Sequence, residues 1–229
     1  MSDKPVILVS ATRKTAGEFQ LSPLGRSLLR VSSLVIPAVV TENRQGLPVV
    51  YNRFITEATR NAYLVFIHDD VWIDDAFMPE HLQFALSRFD IVGVAGNTRL
   101  FPNSGSWHQN EQSVVTRDSL SGGIAYGAEP FGPFTHYGPT PAAVQLLDGV
   151  FIAARGDSLL ERNVRFDEQF DFHFYDLDFS RTANAADLKV GTWPIALTHL
   201  SAGKSGFSEK WEINFARYRN KWSSPTNPS

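Results

Sequence analysis

The stretch Tyr63-Leu64-Val65-Phe66-Ile67-His68-Asp69-Asp70-Val71 is a continuous apolar run that stops on two adjacent carboxylates. Such a run reads as a strand buried on both faces. Ionised carboxylates side by side at its end are costly unless a cation or a strong donor compensates them. In an open α/β sheet, ligands bind at the carboxyl ends of strands, so Asp69 and Asp70 are candidates to hold a hard divalent cation that carries phosphate oxygens. Taken alone, the segment equally allows a helix cap at Asp69 or Asp70, with Asp74 and Asp75 as solvated turn residues.

Two further clusters carry chemistry. In Arg165-Phe166-Asp167-Glu168-Gln169-Phe170-Asp171-Phe172-His173-Phe174-Tyr175-Asp176-Leu177-Asp178, Asp176 sits where aromatics give way to a helical pattern reaching about Leu188. An acid there is either a general base or a cap favoured by the helix dipole. In Leu197-Thr198-His199-Leu200-Ser201-Ala202-Gly203-Lys204, a histidine ends a strand and enters a small, basic loop. A lone histidine is more often structural than a ligand, so His199 depends on what surrounds it.

The elements that must position these residues alternate between strand and helix signals. Val6 to Ser10 reads as a buried strand, and Ser22-Pro23 as a helix start with proline in the first turn. Leu34 to Val40 is a second strand, placed near an edge by Pro37. A helix carrying Val50, Phe54 and Ala58 precedes the acidic strand. Next come a helix over Pro79 to Arg88 and a strand over Ile91 to Ala95. This order predicts a doubly wound, mostly parallel sheet. From Asn97 to about Pro141, Gly, Pro, Ser and aromatics predict a long irregular binding loop, before strand character returns over Val144 to Ala153.

Composition bounds the answer. A chain of 229 residues, 43% hydrophobic and 20% charged, is an ordinary globular protein, read here as one domain. Its net charge of −3 gives no electrostatic argument for nucleic acid or an anionic membrane surface. Absence of cysteine excludes a disulfide framework and a thiolate metal site, and suits a reducing cytosol. No apolar stretch approaches the length of a bilayer span, and Met1-Ser2-Asp3-Lys4-Pro5 has no signal-peptide core, so a cytoplasmic location is expected.

Together, the three clusters resemble the GT-A-type glycosyltransferases, in particular the family-2-like group that uses nucleotide-sugar donors. Phe66-Ile67-His68-Asp69-Asp70-Val71 is similar to the strand-terminal Asp-x-Asp motif of that group, with His68 where the first Asp often stands. Phe166-Asp167-Glu168-Gln169-Phe170 and Tyr175-Asp176-Leu177-Asp178 resemble its FDE-x-F and ED-x-D segments, with Tyr175 replacing the usual Glu. Leu147 to Ala153 resembles the acceptor-side strand, and Trp211, Phe215, Tyr218 and Trp222 form a helical stripe like that group's C-terminal helix. The resemblance covers roughly residues 5 to 222. It implies a GT-A fold, a Rossmann-like, mostly parallel sheet with a small antiparallel element on the acceptor side. Residues 1–96 would form the nucleotide-binding half and 97–223 the acceptor half, with 224–229 as a tail.

The same resemblance implies a site. Asp70 would hold the divalent metal, with Asp69 near the ribose or the metal shell. His199 would complete the coordination and favour Mn²⁺ over Mg²⁺, and Lys204 would steady the leaving phosphates. Ala11, Thr12, Arg13 and Glu42 would contact the nucleobase and ribose. Asp176 would deprotonate a saccharide or other hydroxyl acceptor for inverting attack on a nucleoside-diphosphate sugar, of the UDP kind. Two rivals remain. A sugar nucleotidyltransferase usually has a glycine-rich basic loop after its first strand, whereas Ser10-Ala11-Thr12-Arg13-Lys14-Thr15-Ala16-Gly17 has one glycine. A non-catalytic sugar- or nucleotide-binding module would have no use for a base at Asp176.

Overall fold

Val6-Ile7-Leu8-Val9 and Tyr63-Leu64-Val65-Phe66 lie side by side, parallel and in register, at the heart of a mixed sheet. Apolar on both faces, they can be covered on both. The computed structural model describes residues 4–31, 35–200 and 208–223. The first part of the chain forms β1 (Val6–Ala11), α1 (Ala16–Gln20), α2 (Pro23–Val31), β2 (Ile36–Val40), α3 (Leu47–Asn52) and β3 (Tyr63–Ile67). After these come β4 (Val71–Ile73), α4 (Met78–Leu86), β5 (Ile91–Gly93), β6 (Ala95–Asn97), β7 (Leu120–Tyr126) and β8 (Phe134–Gly138). Then β9 (Ala142–Ala143), β10 (Leu146–Leu147), β11 (Phe151–Arg155), α5 (Gly156–Glu161) and α6 (Tyr175–Ala185) follow. Finally, β12 (Val190–Thr192), β13 (Leu197–His199) and α7 (Glu209–Ser223) complete the described elements.

The main sheet runs β2-β1-β3-β11-β5-β12-β9. Pairs β1–β2, β1–β3 and β5–β12 are parallel, while β11 lies antiparallel between β3 and β5, and β9 closes the edge antiparallel. This is the expected mostly parallel α/β sheet. Its centre is fully buried: Leu8, Leu64, Val65, Phe66, Ile67, Phe151 and Ile152 expose no surface. A second sheet, β10-β6-β7-β13-β4 with β8 on β7, stands beside the carboxyl end of β3.

Several boundaries differ from the sequence reading. The acidic strand stops at Ile67 and resumes as β4 in the second sheet, paired antiparallel with β13. No helix follows Asp70, so neither Asp69 nor Asp70 is a helix cap. Asp74 and Asp75 are not free solvated residues either. Asp74 accepts from Thr198 Oγ1 at 2.6 Å, and buried Asp75 accepts from the Phe77 amide at 2.9 Å with His81 Nδ1 at 2.6 Å. The helix at Val50 ends at Asn52, short of Phe54 and Ala58, because the Thr59 hydroxyl takes the Phe54 and Thr56 carbonyls and starts a separate 3₁₀ turn. Leu34 lies outside the described residues; Pro37 stands on edge strand β2, as its missing N–H requires.

The supposedly irregular stretch from Asn97 to Pro141 contains the hairpin β7–β8. Its glycines serve close packing. A Cβ at Gly122, whose φ is +84°, would strike the Val94 carbonyl, and one at Gly123 would strike the Phe134 ring. Glycine content read as looseness is here the result of backbone approach.

Candidate active site

The crossing from one sheet to the other creates the site. Where the chain leaves β3 for β4, His68, Asp69 and Asp70 lie at the carboxyl end of the parallel sheet. Antiparallel pairing of β13 with β4 puts His199 opposite Val71, so its imidazole meets Asp70 across the strand ends. His199 Nε2 is 3.2 Å from Asp70 Oδ2, and the Leu200 amide donates to the Asp70 carbonyl at 2.9 Å. His68, Asp70 and His199 each offer a ligand atom, all within 4.8 Å of one another. Burial alone would raise the Asp70 carboxyl, but the His199 hydrogen bond and the two imidazoles outweigh it and hold the group below the usual carboxylate range. Desolvation lowers His68, against the pull of Asp70. Carboxylate oxygen and imidazole nitrogen together form a donor set that suits a divalent transition metal better than Mg²⁺.

Asp69 faces the other way. Its Oδ2 accepts from Thr12 Oγ1 and from Lys14 Nζ, both at 2.5 Å, tying the end of β3 to the loop after β1. Ala11, Thr12, Arg13 and Lys14 line a cavity of about 520 Å³ with Asn43 and Lys210. Glu42 is exposed and lines neither this cavity nor the one beside it, whereas the residues after it, Asn43 to Leu47, do line this one. Lys204 lies outside the described residues.

Asp176 stands in the first turn of α6, reached from the main sheet through the turn between β10 and β11. The Gly149 amide donates to its Oδ2 at 2.9 Å. Gly149 must be glycine, because a Cβ would collide with the Tyr175 hydroxyl and lie 2.9 Å from the Asp176 Cβ. The start of α6 is fixed by Phe174, a left-handed residue with φ of 69°. That conformation is unfavourable for a bulky side chain and persists only where packing imposes it. Phe174 is buried, stacked against Phe215 at 5.5 Å and Tyr218 at 5.4 Å, with Trp211 at 5.3 Å. Helix α7, which supplies those rings, is in turn held to α6 by Lys221 and Trp222 Nε1 on the buried Asp178. The aromatic stripe seen in the sequence therefore sets the angle of Asp176.

Asp176 and the His68–Asp70–His199 cluster line the same cavity, about 540 Å³. Burial raises the Asp176 carboxyl, the charge of Asp148 raises it further, and amides of Leu177, Asp176 and Gly149 oppose; the result is about 7. Asp148 is anchored by Trp107 Nε1 at 2.7 Å and by the Val150 amide at 2.8 Å. Trp107, His108, Phe172 and Trp211 complete the wall. Burial lowers the His108 ring, which takes a 2.7 Å contact from Ser106 Oγ at Nδ1. Of these, Trp107, His108 and the pairing of Asp148 with Asp176 were not read from the sequence. The Asp148-Gly149 turn between two apolar runs was the available signal.

The mostly parallel α/β sheet is the fold of the GT-A glycosyltransferases. The chain belongs to the Glycosyltransferase like family, whose model matches residues 32–215. No curated protein matches it in sequence. Among solved structures, GalNAc-T7 with UDP, GalNAc and Mn²⁺ aligns at a TM-score of 0.55 and 11% identity, over 98% of this chain and 49% of that one. The mannosyltransferase PcManGT from Pyrobaculum calidifontis, in complex with GDP-Man and Mn²⁺, aligns at 0.50 and 13% identity, over 98% and 66%. The chain thus spans about half of the first and about two thirds of the second. A197 from STIV aligns at 0.47 and 10% identity, over 90% and 98%.

Proposed function

We propose that this chain is a metal-dependent, inverting glycosyltransferase that moves a sugar from a nucleoside-diphosphate sugar, of the UDP kind, to a hydroxyl acceptor. One observation carries the reading: a metal-type donor set and a carboxyl group poised near neutrality line one cavity. The residues fit a divalent metal, and Mn²⁺ above Mg²⁺, because imidazole is a poor ligand for Mg²⁺. When bound, the metal neutralises charge on the departing diphosphate.

The chain's own residues divide the remaining work. Asp70 and His199 are the assigned metal ligands. Ala11, Thr12 and Arg13 hold the nucleoside, with Asp69 bracing the loop through Thr12 and Lys14, and Lys204 assigned to the leaving phosphates. Glu42, exposed and lining neither cavity, has no role in this site. Trp107 and Trp211 offer flat apolar faces to a saccharide acceptor. Asp176 accepts the proton of the acceptor hydroxyl as its oxygen bonds to the anomeric carbon; the bond from that carbon to the diphosphate breaks and its electrons leave with the nucleotide. Residues 1–96 and 97–223 are assigned as the donor and acceptor halves of one domain.

Thermal-shift measurements with UDP, GDP and their sugars, with and without Mn²⁺, test the donor side. Metal-dependent stabilisation by a nucleoside diphosphate is expected, followed by transfer to a saccharide in an activity assay. Pyrophosphate release from a nucleoside triphosphate and a sugar phosphate would instead identify a nucleotidyltransferase, and metal-dependent binding without turnover would identify a binding module.

A further inference from the structure

The two positions where this chain departs from the motif pattern of its family, His68 and Tyr175, touch each other. His68 Nε2 lies 2.8 Å from the Tyr175 hydroxyl, and that hydroxyl donates to the Gly149 carbonyl at 2.8 Å. A phenol has one proton to give, and a carbonyl can only accept. Tyr175 has therefore spent its proton on Gly149 and meets His68 as an acceptor. In that arrangement the ring proton sits on Nε2 of His68, and the Nε2–H tautomer keeps its lone pair on Nδ1.

We propose that Tyr175 is a positioning residue that locks His68 in the Nε2–H tautomer, making His68 Nδ1 the third metal ligand beside Asp70 and His199. Metal-binding histidines are commonly oriented by a hydrogen bond at the far nitrogen. Here that partner is a tyrosine relayed to the backbone of the Asp148-Gly149 turn. The same turn donates to Asp176, so one glycine fixes both the metal-side imidazole and the acid. Phe172 stacks on the His68 ring at 5.6 Å and limits its rotation. A neutral phenol performs this task without adding a charge beside Asp176, as a glutamate would. The resulting set of two imidazoles and one carboxylate is nitrogen-rich, so selectivity for Mn²⁺ over Mg²⁺ comes from position 68 as well as His199.

This inference rests on the metal-dependent reading, and its test uses Mn²⁺ alone, without nucleotide or acceptor, so transfer activity is not needed to judge it. In ¹⁵N-histidine NMR of the metal-free full-length protein, His68 should show a protonated Nε2 and a bare Nδ1. Tyr175→Phe should keep the fold, mix the tautomers and weaken Mn²⁺ binding by about 10–100-fold. Pulsed EPR of the Mn²⁺ complex should detect two imidazole nitrogens in the wild type and one in His68→Ala. As a check that leaves Tyr175 untouched, His68→Asn, whose amide falls near the Nδ1 position, should retain more Mn²⁺ affinity than His68→Gln, whose amide falls near Nε2. A proton on Nδ1 in the wild type, a single coordinated nitrogen, His68→Gln binding better than His68→Asn, or no Mn²⁺ binding at all would overturn the proposal.

Discussion

The two ends of the cavity each present a partly buried aspartate, and the protein drives them in opposite directions. At the Asp70 end, burial pushes the carboxyl up, but the hydrogen bond and charge of His199, with His68 adding to them, hold it below the usual carboxylate range. At the acid end, burial again pushes Asp176 up, and Asp148 pushes the same way, so its proton is held until about pH 7. Burial is common to both. What differs is the charge and donor capacity of the neighbour, an imidazole in one case and a carboxylate in the other. Titratable groups separated in this way by their surroundings divide into distinct chemical roles, here an anion able to hold a cation and a group able to take a proton at neutral pH.

The sharpest way to break the comparison is at its ionised end. Asp70→Asn keeps the size of the side chain and removes the anionic oxygen. Mn²⁺-dependent stabilisation by UDP is expected to vanish in thermal-shift assays while the metal-free melting temperature holds. Retained metal-dependent binding would remove Asp70 from the ligand set. At the other end, Asp176→Asn should leave nucleotide binding near wild type and lower the transfer rate by roughly 10²–10⁴-fold. Full activity in the folded variant would transfer the base role to Asp148, the other carboxylate beside Asp176 in that cavity.

Much of this contrast was legible in the residues, and what was not has a physical cause. The apolar run ending at His68-Asp69-Asp70 marked this end of the cavity, because burial on both faces leaves no alternation to misread. Asp176 was visible as an acid at a helix start, and the stripe Trp211-Phe215-Tyr218-Trp222 as a helix face. Hidden from the sequence was the pairing of β4 with β13, which gives His199 its partner, since such contacts join residues far apart along the chain. The hairpin β7–β8 was read as a loop because its glycines suit both. Helix α1 was passed over although Thr15 and Glu18 form a capping box there, with the Thr15 amide on Glu18 Oε2 at 2.8 Å. At five residues it buries only Phe19, too little periodicity to show.

The acid end also makes a stability prediction. A carboxyl whose pKa rises from its ordinary 3.8 to about 7 on folding favours the folded state most at low pH. Between those values the folded protein binds more protons than the unfolded chain, so stability falls as pH rises through that window and levels off above about 7. Asp176→Asn removes the buried charge, and the asparagine oxygen can still accept from the Gly149 amide. The variant should gain on the order of a few kcal/mol over wild type at about pH 8, and little at about pH 4, in urea denaturation. Equal stability at both pH values would mean that Asp176 titrates normally. The transfer rate of the wild type should follow the same group, falling about tenfold per pH unit below roughly 7.

The smallest expected effect separates the two causes that raise Asp176. Asp148→Asn deletes the neighbouring charge while the apolar surroundings of Asp176 stay in place. The Val150 amide can still donate to the side-chain oxygen of the substituted residue, whereas the Trp107 indole N–H would then face an amide that also donates. That mismatch should cost about 1–3 kcal/mol in stability, and the protein remains foldable if the wild type exceeds it. With the charge gone, the acid limb of the pH–rate profile should move down by roughly one unit. It should not return to the ordinary carboxylate range, because burial is the larger of the two causes. A ¹³C carboxyl titration of Asp176 in the same variant gives the value without relying on turnover. If the midpoint does not move, burial alone sets it, and Asp148 serves only to anchor Trp107 and the turn. Should it collapse to the ordinary value, repulsion dominates, and the contrast with Asp70 reduces to the sign of a single neighbouring charge.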